Sequence, residues 1–173
     1  TYDVFAKVAD RLCMQDIRDE LEQLSYGVLF ADWYKELVSL RMNHEKDGVK
    51  ILQDIQEKID NNCDCGNVCV MHEHQSWETL QAERALQSGA AKGFAHTNFI
   101  FVCPDVSSSY CILGFLHQGW QREEMTFEDF INTPQLNGYR GLHTTIILEN
   151  GTRVRCKIRT TEMHVYARKG VSA

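Results

Sequence analysis

Residues 153–160 read Arg-Val-Arg-Cys-Lys-Ile-Arg-Thr, and that order constrains the fold more than any other stretch of the chain. Successive side chains of a strand point to opposite faces. Val154, Cys156 and Ile158 therefore share one face, and Arg153, Arg155, Lys157 and Arg159 share the other. The alternation predicts a strand with one face on a core and a row of four cations on its reverse. Glu149-Asn150-Gly151-Thr152 is short enough to close a hairpin in front of it. The β-branched run from Leu142 to Leu148 supplies the partner strand. Asn137-Gly138 marks an earlier turn, because glycine takes positive φ without a steric penalty and asparagine tolerates it. Beyond the strand, Thr160 or Thr161 can cap a helix that carries Glu162 in its positively polarised first turn.

The rest of the chain reads as helices around one further strand. Residues 1–43 show helical spacing in Phe5, Val8 and Leu12, then Ile17, Leu21, Leu24 and Val28, then Tyr34, Leu37, Val38 and Met42, and read as helices over a core. A second helical stripe over 45–61 comprises Val49, Leu52, Ile55, Gln56 and Ile59, and Asn61-Asn62 ends it. Residues 63–74 have no period and read as a loop. Helix resumes over 77–88. Asn98–Val102, within 94–103 and bounded by Pro104-Asp105, reads as a buried strand. Ser107-Ser108-Ser109 cap a helix through Tyr110, Leu113, Leu116, His117 and Trp120, and 119–132 is a polar loop.

A chain of 173 residues suffices for one domain with a sizeable core. No apolar run is long enough to span a bilayer and no leader pattern opens the chain, so the expectation is a cytoplasmic protein. Its net charge of −6 argues against nonspecific nucleic-acid binding, while a local basic stripe can still hold an anion. Seven cysteines are an odd number, and thiols or metal ligands are expected rather than disulfides. Cys13, Cys103, Cys111 and Cys156 fall at apolar positions and behave as small hydrophobes. Cys63, Cys65, Cys69, His72 and His74 form a candidate zinc set, although C-x-C-x3-C-x2-H-x-H is not a common module and a variable surface loop explains the same residues. No Cys-His or Ser-His-Asp nucleophile follows from the spacing.

The block from Thr126 to Ala167 resembles the synthetase domain of the RelA/SpoT family, which makes and degrades (p)ppGpp. The residues carrying the likeness are Asp129-Phe130-Ile131, Pro134, Asn137-Gly138-Tyr139, Leu142-His143-Thr144, Ile158-Arg159-Thr160 and Met163-His164, with Tyr110, Leu113-Gly114, His117 and Trp120 upstream. Ala9-Asp10-Arg11-Leu12 and Glu20–Leu24 resemble the family's segment between hydrolase and synthetase domains. The resemblance implies an α/β (α+β) fold: a mixed sheet of about five strands flanked by helices, nucleotidyltransferase-like. It also implies a helical linker at 1–43, a synthetase-like domain at 44–173 and an upstream hydrolase domain as partner in a longer chain.

The reaction so implied moves pyrophosphate from ATP to the 3′-hydroxyl of GDP or GTP. It needs cations on the triphosphate, carboxylate-held magnesium and a group near the hydroxyl. The guanine side is present: Tyr139 matches the family's stacking tyrosine, and Asn137 and His143 match its neighbours. The acidic side is not. The family's Glu position is Arg155 and its Gln position is Lys157, its metal-binding Asp aligns near Phe94 and an Arg near Phe99. His72, His74, Trp77 and Ala82 stand where an ATP clamp of Arg, Lys, Tyr and Lys is expected, and Gln135 replaces another Lys. The expectation is therefore a degenerate synthetase with no catalytic residue and no cofactor. It would bind ppGpp, GDP or GTP through Tyr139, Asn137, His143, Arg155, Lys157 and Arg159 and regulate the hydrolase. Two rivals remain: an active, magnesium-dependent synthetase using Glu128, Asp129 or Glu149, and a purely architectural module.

Overall fold

The computed structural model describes residues 2–87 and 96–172. After a π-helical turn at Tyr2–Ala6, the helices are α1 (Lys7–Arg11), α2 (Gln15–Leu29), α3 (Ala31–Asn62), α4 (Trp77–Gln87), α5 (Val106–Gly119) and α6 (Thr161–Lys169), closed by a 3-10 turn at Gly170–Ser172. The strands are β1 (Cys69–Glu73), β2 (His96–Cys103), β3 (Gln121–Arg122), β4 (Glu128–Asp129), β5 (Leu142–Ile147) and β6 (Arg153–Thr160). Among the described residues they form one six-stranded mixed sheet in the order β1-β2-β6-β5-β3, with β4 also paired to β5. β2 and β6 run parallel, and β5 returns antiparallel to β6 through the expected hairpin. The α/β class anticipated from the sequence is the one found. The residue patterns marked β2, β5 and β6; the other three strands, β1, β3 and β4, lie in the segments read as loops, 63–74 and 119–132, and are only two to five residues long.

The alternation of β6 sets the two sides of the sheet. Val154, Cys156 and Ile158 are fully buried, together with Phe99 and Phe101 of β2 and Leu142 and Ile146 of β5. Ile55 and Ile59 of α3 and Ile112 and Leu116 of α5 close this core. Burying a side chain of this size contributes about 1.5–3 kcal/mol. Gln56 ties α3 to the sheet edge: its side chain accepts from the Val70 amide at 3.0 Å and donates to the Val68 carbonyl at 3.2 Å. On the reverse face, register places Glu73, Asn98, Arg155, Lys157, Thr145 and His143 side by side.

Several helix expectations change in detail. The two stripes of 34–42 and 45–61 are one helix, so the expected boundary between residues 43 and 44 falls inside α3. The cap of α5 is Asp105, whose carboxylate accepts from the Ser108 amide at 2.7 Å, and not the serine run that follows. Thr160 rather than Thr161 caps α6, accepting from the Met163 amide. Helices do form over the N-terminal third, but Phe5, Val8, Leu12, Ile17, Leu24, Val28 and Met42 are exposed rather than core. A separate cluster of Tyr26, Leu37, Trp77 and Leu80 joins α2, α3 and α4 instead. Cys65 and Cys111 form a disulfide, where thiols were expected; α3 and α5 pack on the same side of the sheet and bring together residues 46 apart in sequence, which spacing cannot reveal.

Candidate functional site

The site lies on the cation face of the sheet, at its junction with the N-terminal helices. A cavity of about 190 Å³ is lined by Tyr139, Asn137, His143, Lys157 and Arg159, with Gln135 and Ala167, and by Asp10, Cys13, Gln15 and Arg18 from the N-terminal segment. Five of the six residues expected to bind nucleotide thus meet at one place. Arg155, the sixth, lies two residues along the same strand face and lines an adjoining cavity of about 370 Å³ with Asn98, Thr145, Thr126 and Thr79. The N-terminal segment is seated by a close approach. Gly170 has φ +58°, and a Cβ there would lie 2.0 Å from the Leu12 carbonyl oxygen, so only glycine lets the end of α6 meet the α1–α2 junction.

Tyr139 owes its place to the Asn137-Gly138 turn. The Asn137 side chain accepts from the Tyr139 amide at 3.0 Å, and Gly138 has φ +81° with Tyr166 filling the space where a Cβ would stand. The ring is 7% exposed. It is therefore both packed and cavity-lining, rather than one or the other. The guanidinium of Arg159 lies 4.9 Å from the ring centroid and its Nε donates to the Tyr139 hydroxyl at 3.0 Å. Arginine can only donate. The tyrosine oxygen accepts from it and donates its own proton to His143 Nε2 at 2.6 Å. That leaves the imidazole proton on Nδ1, 3.5 Å from a Glu128 carboxylate oxygen. Burial, then the positive charges of Lys157, Arg159 and Arg155, push His143 down to about 3, so it is neutral at pH 7 and its contact with Glu128 is not an ion pair.

The four cations of β6 are unequal. Arg155 is exposed, Arg153 and Lys157 are half-buried, and Arg159 is 1% exposed. Lys157 meets Glu73 of β1 at 2.5 Å. Burial alone would raise the Glu73 carboxyl; the Lys157 ammonium overcomes this and holds it below its usual value. Arg159 Nη1 has no hydrogen-bond partner among the described residues. A buried guanidinium nitrogen without an acceptor costs free energy unless a ligand supplies one.

The β6 face presents cations, Glu73 is engaged by Lys157, and among the described residues no group of three carboxylate or imidazole donors gathers around a common point. Of the three candidate acids, Glu128 reaches the site. Asp129 instead accepts from Tyr110 and from the amides of Ile131 and Asn132, and Glu149 lies with Lys58 and Trp120 in a different cavity. Phe94, where the family's metal-binding Asp aligns, lies outside the described residues. Of the candidate ATP-clamp positions, Trp77 is buried in the helical cluster. The zinc set is not assembled as expected: Cys63 and Cys65 gather with Cys111, while among the described residues Cys69, His72 and His74 join no such group. Glu73, Arg18 and Gln15 were missed. No period over 63–74 marks Glu73 as a strand residue, and nothing in the sequence ties Arg18 to Lys157 and Arg159, more than a hundred residues away.

The architecture is that of an α/β domain with its site on the open face of a mixed sheet. Residues 99–173 match the family profile described as the region found in RelA/SpoT proteins. Over its whole length the chain is 29% identical to the GTP pyrophosphokinase rsh of Brucella melitensis biotype 1, covering 24% of that protein. It is 30% identical to a GTP pyrophosphokinase of Myxococcus xanthus, covering 23% of it, and 28% identical to the bifunctional (p)ppGpp synthase/hydrolase RelA of Mycobacterium tuberculosis, covering 24%. Residues 99–173 thus carry the region found in RelA/SpoT proteins, and the chain spans about a quarter of the length of these relatives. Among solved structures it is similar to small alarmone synthetase 1 of Bacillus subtilis bound to its product pppGpp, at 17% identity and TM-score 0.49 over 79% of this chain and 76% of that one. The small alarmone synthetase 2 of the same organism gives 23% identity and TM-score 0.45 over the same shares.

Proposed function

We propose that this RelA/SpoT synthetase-type domain is catalytically degenerate and binds a guanosine polyphosphate without metal, as a regulatory ligand. The carrying observation is the buried Arg159 guanidinium, with Nη1 lacking an acceptor, at the wall of a cavity that Lys157 and Arg18 also line. A phosphate oxygen supplies the missing acceptor, and charge-assisted bonds of this kind are the strong ones. The cavity of about 190 Å³ is small for a whole ligand. The adjoining space beside Arg155 takes the remainder, so the two cavities hold separate parts of one elongated polyanion. Catalysis fails because magnesium has no seat beside Arg155 and Lys157: like charges about 4 Å apart cost roughly 4 kcal/mol at an effective dielectric near 20.

Regulation follows from the cavity's two walls. Asp10, Cys13, Gln15 and Arg18 belong to the N-terminal segment and the remainder to the sheet domain, so a ligand between them biases how the two sit. In a full-length protein the segment affected is the one leading to the hydrolase domain that the bifunctional relatives possess.

The test is calorimetric titration of the purified chain with ppGpp in EDTA. Heat is expected for the wild type, with at least about tenfold weaker binding for Arg155→Glu. No heat, or equal affinity in the variant, overturns the proposal. The competing reading, an active synthetase, rests on Glu128 beside His143. It requires magnesium-dependent AMP release from ATP plus GDP, which the degenerate reading forbids.

A further inference from the structure

On the side of the sheet away from the nucleotide cavity, the chain leaving α3 and the second turn of α5 bring three sulfurs together. Cys63 is the residue at which α3 stops, with extended backbone at φ −125° and ψ 117°. That bend turns the chain inward, so Cys65 is buried against Val68 and Ile112 in the main core. Cys111 reaches the same point from the exposed side of α5. The Sγ atoms of Cys63, Cys65 and Cys111 all lie within 4.8 Å of one another. Zinc bound to thiolates at about 2.3 Å in tetrahedral geometry sets its sulfurs roughly 3.8 Å apart. Cys65 and Cys111 are bonded in the disulfide, so once reduced their sulfurs must part by roughly 1.8 Å to reach that spacing.

We propose that Cys63, Cys65 and Cys111 form a thiolate site for a soft divalent cation of the zinc class, and that the Cys65–Cys111 disulfide is its oxidised, metal-free form. A crosslink between α3 and α5 requires two cysteines. The third, Cys63, is superfluous to a crosslink and is what a metal site adds. A free thiol within 4.8 Å of a disulfide also keeps that bond exchangeable, because thiolate attack on either sulfur opens it. Among the described residues no fourth Cys, His, Asp or Glu joins the group. The fourth position faces outward between half-buried Cys63 and exposed Cys111, where water or an external thiol completes the tetrahedron.

The two forms interconvert by a balanced step. Two electrons pass from the Cys65 and Cys111 thiolates to a disulfide oxidant such as oxidised glutathione. The oxidant's S–S bond breaks to give two glutathione thiolates, the Cys65–Cys111 bond forms, and the metal, left with one thiolate, departs. The site depends neither on the nucleotide reading nor on the cation face, and it locks α3 to α5 in both forms.

The test uses the whole chain reduced with a phosphine and titrated anaerobically with cobalt(II). One equivalent of cobalt is expected to give thiolate-to-cobalt charge-transfer absorption, to be displaced by zinc, and to be lost when oxidised glutathione is added. Cys63→Ser retains the disulfide pair, and its fold is checked by circular dichroism; it should bind cobalt at least about tenfold more weakly. Cys69→Ser should bind as the wild type does. Absence of charge-transfer absorption in the folded reduced chain, or equal affinity in Cys63→Ser, overturns the proposal. So does loss of binding in Cys69→Ser.

Discussion

His143 shows how a single residue reports the sign of its surroundings. Lysine and two arginines crowd an imidazole that burial already disfavours as a cation, and the group is pushed down to about 3. Because the folded value lies below the ordinary one, stability is fully present above about pH 6.5 and falls as pH drops, since the unfolded chain takes up a proton that the native state refuses. This group alone should remove about 1.4 kcal/mol per pH unit between pH 6 and 4. His72, His74, His117 and His164 are lowered as well, each mainly by burial, and act in the same direction. Urea midpoints at pH 7 and pH 5 should therefore differ more in the wild type than in His143→Asn, and equal differences would contradict the assignment. Glu73 is the second informative residue. Glu73→Gln removes the carboxylate that offsets the burial of the half-buried Lys157 ammonium, an arrangement that should cost about 3 kcal/mol in a denaturant titration. Replacing both residues by methionine should recover most of it, because the desolvation penalty then disappears.

At the scale of elements, β6 and α6 form one device. The strand delivers Arg155, Lys157 and Arg159 to the site, Thr160 ends it, and the same threonine caps the helix whose far end receives the α1–α2 junction. Thr160→Ala should cost about 1 kcal/mol by thermal or urea unfolding, whereas Thr161→Ala, which removes no cap, should lie within roughly 0.5 kcal/mol of the wild type. α3 is the other organising element. Its stripe reads as two helices because the apolar positions thin out around His44–Lys46, yet nothing there breaks a helix, and the chain continues to Asn62. Polarity alone does not end a helix; Cys63 does so by taking extended backbone. The shift of the α5 cap from the serines to Asp105 has a similar origin, since Asp105 is itself a strong capping residue and precedes them.

For the whole molecule, the consequential feature is that one cavity is walled by two parts of the chain distant in sequence. If ppGpp binds there, hydrogen exchange at residues 10–18 should slow along with that at 137–143, and protection confined to the latter would leave the N-terminal segment out of the regulation. What the residue order determined alone was substantial: the β5–β6 hairpin, the face of Val154, Cys156 and Ile158, the Tyr139 turn, and the absence of acid at positions 155 and 157. These are local properties, fixed by alternation, turn chemistry and side-chain identity. Tertiary structure alone decided that Arg159 is buried against Tyr139 while Arg155 is exposed, that Glu73 reaches Lys157, that Arg18 completes the cavity, and that Cys111 joins Cys63 and Cys65. Each of these depends on which strands become neighbours and which helices cover them. That outcome comes from burial summed over the whole chain, which no short window of sequence contains.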